Sequence, residues 1–174
     1  MYMVRACFCL LLMMTPALLA DEDSPNLGKP ATNALIQQWN VDVFPDGEGL
    51  PAGQGTAVLG EVIYQKYCLT CHGVDGTGDS ADELAGASHS LTDNPPDKTI
   101  GTYWPYATTL FDFTRRAMPL NSPGSLNNDE LYSVTAYLLY LNGIVERDSL
   151  LNKETLAIIK MPNRTGFINI YNEE

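Results

Sequence analysis

The chain alternates between polar, turn-rich tracts and a few segments in which apolar residues recur at helical spacing. In residues 56–67, Val58, Leu59, Val62, Ile63 and Tyr67 fall on one broad face, and Thr56 stands ahead of them as an N-cap. Residues 107–117 carry Leu110, Phe111, Phe113, Thr114 and Ala117 on an apolar face. Pro105 suits the first turn of that helix, and Arg115 and Arg116 close it where positive charge complements the helix dipole. The strongest pattern opens at Asn127, with Glu130 three residues on as a capping box. It runs through Leu131, Val134, Leu138 and Leu141, with Tyr132, Tyr137 and Tyr140 adding bulk, to a glycine stop at Gly143. A short helical patch is expected at 153–160 and a strand-like piece at 167–171. The pattern predicts an all-α fold in which the helix at 127–141 crosses the one at 56–67.

Ahead of these helices, residues 21–55 hold Pro25, Pro30, Pro45 and Pro51 with several glycines, and read as an extended arm. A short helical turn is expected at 32–38. Trp39, Val41, Val43 and Phe44 alternate with polar residues as one strand-like surface piece. A packed arm is the plain reading, and a docking segment for a partner protein the sharper one.

Five residues reorganise this picture. Cys68-Leu69-Thr70-Cys71-His72 ends the first helix, and two cysteines two residues apart followed at once by histidine read as a c-type haem attachment site. Each thiol adds to one vinyl group of the porphyrin, and the adjacent imidazole reaches the iron from the proximal side. A redox CxxC pair would need a βαβ context, and a zinc site would need further Cys or His ligands. The other cysteines, Cys7 and Cys9, lie in the leader described below, and His89 is the only other histidine. The glycines at 73, 76 and 78 then imply a turning backbone close to something bulky. Asp75 and Asp79 invite a calcium reading, but the full EF-hand pattern is absent.

A sixth iron ligand is needed C-terminal to this motif. Met118, at a helix end and followed by Pro119, supplies a soft thioether, and Met/His ligation raises the haem potential. Met161 and His89 compete for the role, and a core methionine is the plain alternative. Trp104 offers an indole N–H to a haem propionate, or packs in the core. Arg115 offers a guanidinium to a propionate, or ends its helix in solvent.

Composition sets the compartment and the partners. The 174 residues carry a net charge of -11, which excludes nucleic acid and anionic membrane as natural partners and suits a partner with a basic docking patch. Residues 1–20 hold one charge, Arg5, and a nearly unbroken apolar run ending Ala17-Leu18-Leu19-Ala20. This reads as a secretory signal peptide cleaved after Ala20, leaving Cys68 and Cys71 as the only thiols and no membrane span. An uncleaved anchor is the alternative, for which the run is short. Export to the periplasm fits c-type haem, which is attached outside the cytoplasmic membrane. The expected division is a signal peptide at 1–20, an extended N-terminal arm at 21–55, a haem domain at 56–145 and a C-terminal extension at 146–174.

With CxxCH, a Met-Pro loop and three helices, the chain resembles the class I cytochromes c. The block from Lys98 to Phe113 (KTIGTYWPYATTLFDF) is similar to the cytochrome subunit of the sulfane dehydrogenase in the Sox thiosulfate-oxidation system. So are Arg115-Arg116-Ala117-Met118-Pro119, Pro123-Gly124-Ser125-Leu126, the block from Ala136 to Val145 and Lys160-Met161-Pro162-Asn163-Arg164. Related cytochromes accompany molybdenum sulfite dehydrogenases. The resemblance implies a class I cytochrome c fold with one covalent haem c on Cys68 and Cys71, His72 proximal and Met118 distal. It implies a molybdopterin sulfite or sulfane dehydrogenase subunit as electron donor, with a downstream cytochrome or oxidase as acceptor. A soluble shuttle for another dehydrogenase and a haem ligand sensor are the competing functions. Two departures stand out. The Sox subunit usually carries a second haem domain, and this chain has one CxxCH. In small cytochromes c a proline precedes the Leu-Ala-Gly loop and its carbonyl orients the proximal histidine, whereas Glu83 precedes Leu84-Ala85-Gly86 here.

Overall fold

The structure, a computed structural model, describes residues 28–168 and 170. The expected signal peptide lies outside the described residues, as do the first part of the arm and residues 169 and 171 of the strand-like tail. The chain divides into two units, residues 1–37 and 38–174. The described part of the first unit holds most of α1 (Asn33–Trp39), one residue displaced from the helical turn expected there. Thr32 starts it: its Oγ1 accepts the Leu35 N–H at 3.2 Å and its carbonyl accepts the Ile36 N–H at 2.9 Å.

The described part of the second unit is all-α apart from one small ladder. In order it contains β1 (Gln54–Gly55), α2 (Ala57–Tyr67), α3 (Leu69–His72), a 3₁₀ turn (Val74–Gly76), α4 (Ile100–Tyr103), α5 (Ala107–Ala117), α6 (Asn128–Leu141), β2 (Leu151–Asn152) and α7 (Lys153–Leu156). β1 and β2 pair antiparallel, with Gln54 opposite Asn152 and Gly55 opposite Leu151.

The core forms where α2 crosses α6, the crossing of helices expected from the sequence. The contact is close because Gly60 has no side chain: a Cβ there would meet the Ser133 carbonyl and stand 2.8 Å from Tyr137 Cβ. One turn on, the Tyr64 and Tyr137 rings pack with centroids 5.3 Å apart. α5 closes the other side of α6, with Phe111 against Tyr132 at 4.7 Å. Aromatic pairs of this kind add about 0.5–1.5 kcal/mol each beyond the area they bury.

The face α2 buries is not the one its hydropathy pattern selects. Ala57, Gly60 and Tyr64 are buried, while Val58, Leu59 and Val62 are 47%, 59% and 64% exposed. The smallest side chains let the helices approach, and a pattern scored on large apolar residues gives glycine no weight. Ile63 and Tyr67, from the same expected face, are half-buried against the core.

α6 follows its sequence signals closely. Asn127 Oδ1 accepts the Glu130 N–H at 3.0 Å, and Glu130 Oε2 accepts the Asn127 N–H at 2.9 Å. The helix stops at Gly143, whose φ of +68° only glycine adopts cheaply. Other expectations shift. Thr56 stands at the N-cap of α2 without a side-chain hydrogen bond. Pro105 precedes the N-cap of α5, Tyr106, instead of entering its first turn. α7 ends at Leu156, and residues 166–168 form no strand.

Residues 41–54 lie against α5 and α6. Tyr132 Oη donates to the Pro51 carbonyl (2.9 Å), Asn128 Nδ2 to the Ala52 carbonyl (2.9 Å), and the Gln54 N–H to Asp129 Oδ1 (2.8 Å). The strand expected over 39–44 is absent: Trp39 ends α1, Val43 is buried, and the chain turns at 45–49 with Phe44 half exposed. Among the described residues no helix is long and apolar enough to cross a membrane.

Candidate haem site

α2 runs into the CxxCH motif almost without a break. Cys68 is at once the C-cap of α2, its N–H donating to the Tyr64 carbonyl at 2.8 Å, and the N-cap of α3. Its own carbonyl accepts from the Cys71 N–H (3.1 Å) and the His72 N–H (3.0 Å). One turn of backbone therefore gathers two thiols and an imidazole. Burial first, and then Cys71, push the Cys68 thiol up to about 11, so at neutral pH it is protonated.

The glycines after the motif reverse the chain. Gly73 has φ +71°, and a Cβ there would run into the Gly78 carbonyl. The Gly78 N–H returns to the His72 carbonyl at 2.8 Å, and the Ala81 N–H to the Cys71 carbonyl at 2.9 Å. Tyr64 braces the turn from the core, its hydroxyl donating to the Gly73 carbonyl at 2.7 Å. Burial, followed by the neighbouring Cys68, pushes that hydroxyl up to about 12.

This folded-back loop brings the Asp82 carbonyl to 3.0 Å from His72 Nδ1. A carbonyl only accepts, so Nδ1 carries the proton and Nε2 is the nitrogen with a lone pair for a metal. The orienting acceptor that a proline supplies in small cytochromes c is thus the main chain of Asp82, one residue before Glu83. The loop is then tied into the fold. The Gly76 carbonyl accepts the Leu84 (2.7 Å) and Ala85 (3.0 Å) N–H groups, and the Leu84 carbonyl accepts the Ile100 N–H at 3.1 Å. Asn142 completes the tie, donating to the Leu84 (3.1 Å) and Leu138 (2.8 Å) carbonyls and accepting the Gly101 N–H at 2.9 Å. Neither Asp82 nor Asn142 stood out in the sequence, where Asn142-Gly143 read only as a helix stop.

Met118 is the C-cap of α5, half-buried, with its N–H on the Thr114 carbonyl at 3.1 Å. The loop beyond it buries Pro119 and Leu126 and exposes Leu120. Met161, by contrast, is 3% exposed within the core cluster, so its environment is that of a packing residue. His89 is exposed beside Asp97, with Nδ1 3.3 Å from both carboxylate oxygens. The His89 and Ser88 backbone N–H groups hold the Asp97 carboxyl below its usual range. Asp75 accepts from the Tyr137 hydroxyl at 3.3 Å, and no calcium-type cluster gathers around it among the described residues.

Trp104 packs edge-on against Phe113 with centroids 5.8 Å apart, and its indole N–H makes no hydrogen bond among the described residues. Arg115 spends Nη1 on the Val41 carbonyl at 3.2 Å, so one of its donors faces the arm instead of a propionate or solvent.

The donor set fits a covalently held haem. Cys68 and Cys71 are unlinked thiols one helical turn apart, and the neighbouring imidazole is held in the tautomer that leaves Nε2 for iron. The comparisons agree with this chemistry. Residues 57–142 match the family model described as Cytochrome c. The crystal structure of the sulfane dehydrogenase SoxCD from Paracoccus pantotrophus superposes with a TM-score of 0.77 and 43% identity, over 82% of this chain and 70% of that one. A thiosulfate dehydrogenase from Allochromatium vinosum is 30% identical over 109 residues, 60% of this chain and 40% of the relative. The match thus spans about two fifths of that curated relative's length. With the haem motif, the helix crossing and these likenesses in agreement, the chain belongs to the class I c-type cytochromes, a family of haem-binding electron carriers.

Proposed function

We propose that this chain is a periplasmic monohaem cytochrome that accepts electrons one at a time from a molybdenum sulfite or sulfane dehydrogenase and passes them to a downstream cytochrome or oxidase. The observation that carries this reading is the 43% identity, over 82% of the chain, to a sulfane dehydrogenase structure.

Cys68 and Cys71 would hold the haem through two thioether bonds, and His72 Nε2 and the Met118 sulfur would ligate its iron. When bound, the haem iron supplies the one-electron redox change. The protein sets its potential and orientation. The Asp82 carbonyl fixes the His72 ring and increases its donor strength, and a neutral Met118 thioether on the iron would favour the reduced state. The Trp104 indole N–H and the remaining Arg115 donors would be available to the haem propionates. Residues 1–20 act as the export signal. The acidic surface steers a partner with a basic patch, so the encounter rate falls as salt rises.

The test is purification of the tagged protein from its native periplasm, with molybdenum and haem assayed on what co-elutes. A stoichiometric molybdenum enzyme whose sulfite or sulfane substrate reduces this haem is the expected result. A lone haem protein at low salt would replace the subunit reading with that of a free shuttle.

A further inference from the structure

The last two turns of α5 are clasped to the arm. Three consecutive arm residues take part. The Val41 carbonyl accepts from Arg115 Nη1 at 3.2 Å, Asp42 Oδ1 pairs with Arg116 Nη1 at 3.0 Å, and the Val43 N–H donates to Asp112 Oδ1 at 3.0 Å. Arg116 also pairs with Asp112 one turn back, so both carboxylate oxygens of Asp112 are used. The Asp112 side chain is only 10% exposed. A carboxylate so placed is costly unless its oxygens are satisfied, and here the arm and Arg116 satisfy them.

Met118 lies two residues beyond Arg116. Among the described residues, the loop that follows it is bonded only within itself: the Ser122 N–H to the Pro119 carbonyl at 2.9 Å and the Ser125 N–H to the Ser122 carbonyl at 3.3 Å. The hydrogen bonds that tie this end of α5 to a distant part of the chain are therefore those of the clasp, which join residues 69 to 74 positions apart.

We propose that Asp112 is a positioning residue for Met118: by locking the last turns of α5 to the arm, it holds the methionine where its sulfur reaches the iron. This rests on the reading of Met118 as the axial ligand. Loosening the clasp raises the fraction of molecules in which the sulfur is off the iron, and any external ligand that needs that position binds in proportion to the fraction.

The experiment is imidazole binding to the oxidised holoprotein, followed by stopped flow, alongside the methionine–iron charge-transfer absorption. Asp112→Ala is expected to bind imidazole roughly tenfold or more faster, with a weakened charge-transfer band, and Asp112→Asn by less, since it keeps an acceptor for Val43. Should Asp112→Ala fail to give holoprotein, Arg116→Gln at its half-exposed site is expected to accelerate binding as well. Leu151→Ala in β2, a core truncation outside the clasp, is expected to lower stability without changing the rate. Wild-type rates in the Asp112 and Arg116 variants, with fast binding in Met118→Ala, would overturn the clasp and leave the ligand assignment standing. Equal acceleration in Leu151→Ala would reduce Asp112 to a general stability role. A wild-type rate in Met118→Ala would remove the ligand assignment and the proposal together.

Discussion

The two sides of the proposed haem site are held in opposite ways. On the His72 side, hydrogen bonds reach across the fold. Asp82 holds the imidazole, Leu84 is bonded to Ile100, and Asn142 joins Leu84, Gly101 and the end of α6. On the Met118 side, the loop is bonded to itself and anchored by the burial of Pro119 and Leu126, with the clasp acting only on the helix before it. Local bonds leave a segment free to open by itself, whereas bonds to distant elements make opening part of a larger unfolding event. The difference assigns exchange to the methionine side and permanence to the histidine side. Under the proposed ligand set, an electron carrier would gain from this arrangement: the cysteine and histidine side would keep the cofactor while the thioether would set the potential.

The largest test of that contrast is His72→Ala. It is expected to abolish a stable low-spin haem spectrum, and a retained spectrum would break the proximal assignment. Met118→Ala comes next. It is expected to keep the covalent haem, lower the reduction potential in an electrochemical titration, and admit carbon monoxide without denaturation. An unchanged potential would place the sixth ligand elsewhere.

A matched pair of stability measurements sharpens the comparison. Asn142→Ala removes the bonds to Leu84, Leu138 and Gly101 and is expected to cost about 1–3 kcal/mol in denaturant unfolding. Ser122→Ala removes only side-chain contacts with neighbours in its own loop and is expected to fall within about 0.5 kcal/mol of wild type. Equal effects would erase the distinction. The smallest effect concerns acid. The Asp97 carboxylate, held below the usual range by the His89 and Ser88 N–H groups, adds local order that is present above the ordinary carboxyl value of 3.8 and lost as pH falls through the lower folded value. Amide exchange at Ser88 and His89 is expected to accelerate over that acid window in the wild type, and Asp97→Asn to remove the acid dependence.

What could be read from the sequence was what neighbouring residues decide. The CxxCH motif, the Asn127–Glu130 capping box and the Gly143 stop each lie within a few positions of one another, and each appears in the structure in that form. The packing face of α2 was misread because its contact depends on Gly60, which has no hydropathy to register. Asp112 gave no signal in the sequence, since its partner Val43 stands 69 residues away. Asn142 was hidden by its neighbour, the more conspicuous glycine. The His72 acceptor could not be read at all, because a carbonyl belongs to every residue type.

That last point bears on how the site tolerates change over generations. Since the group that orients His72 is main chain, drift in the residue at position 82 leaves the contact chemically untouched. Loop length has no such freedom. Adding or deleting a single residue between Gly73 and Asp82 would displace the carbonyl by roughly 3.3 Å of backbone, beyond hydrogen-bond reach. The quantity under constraint here is a spacing and not a letter.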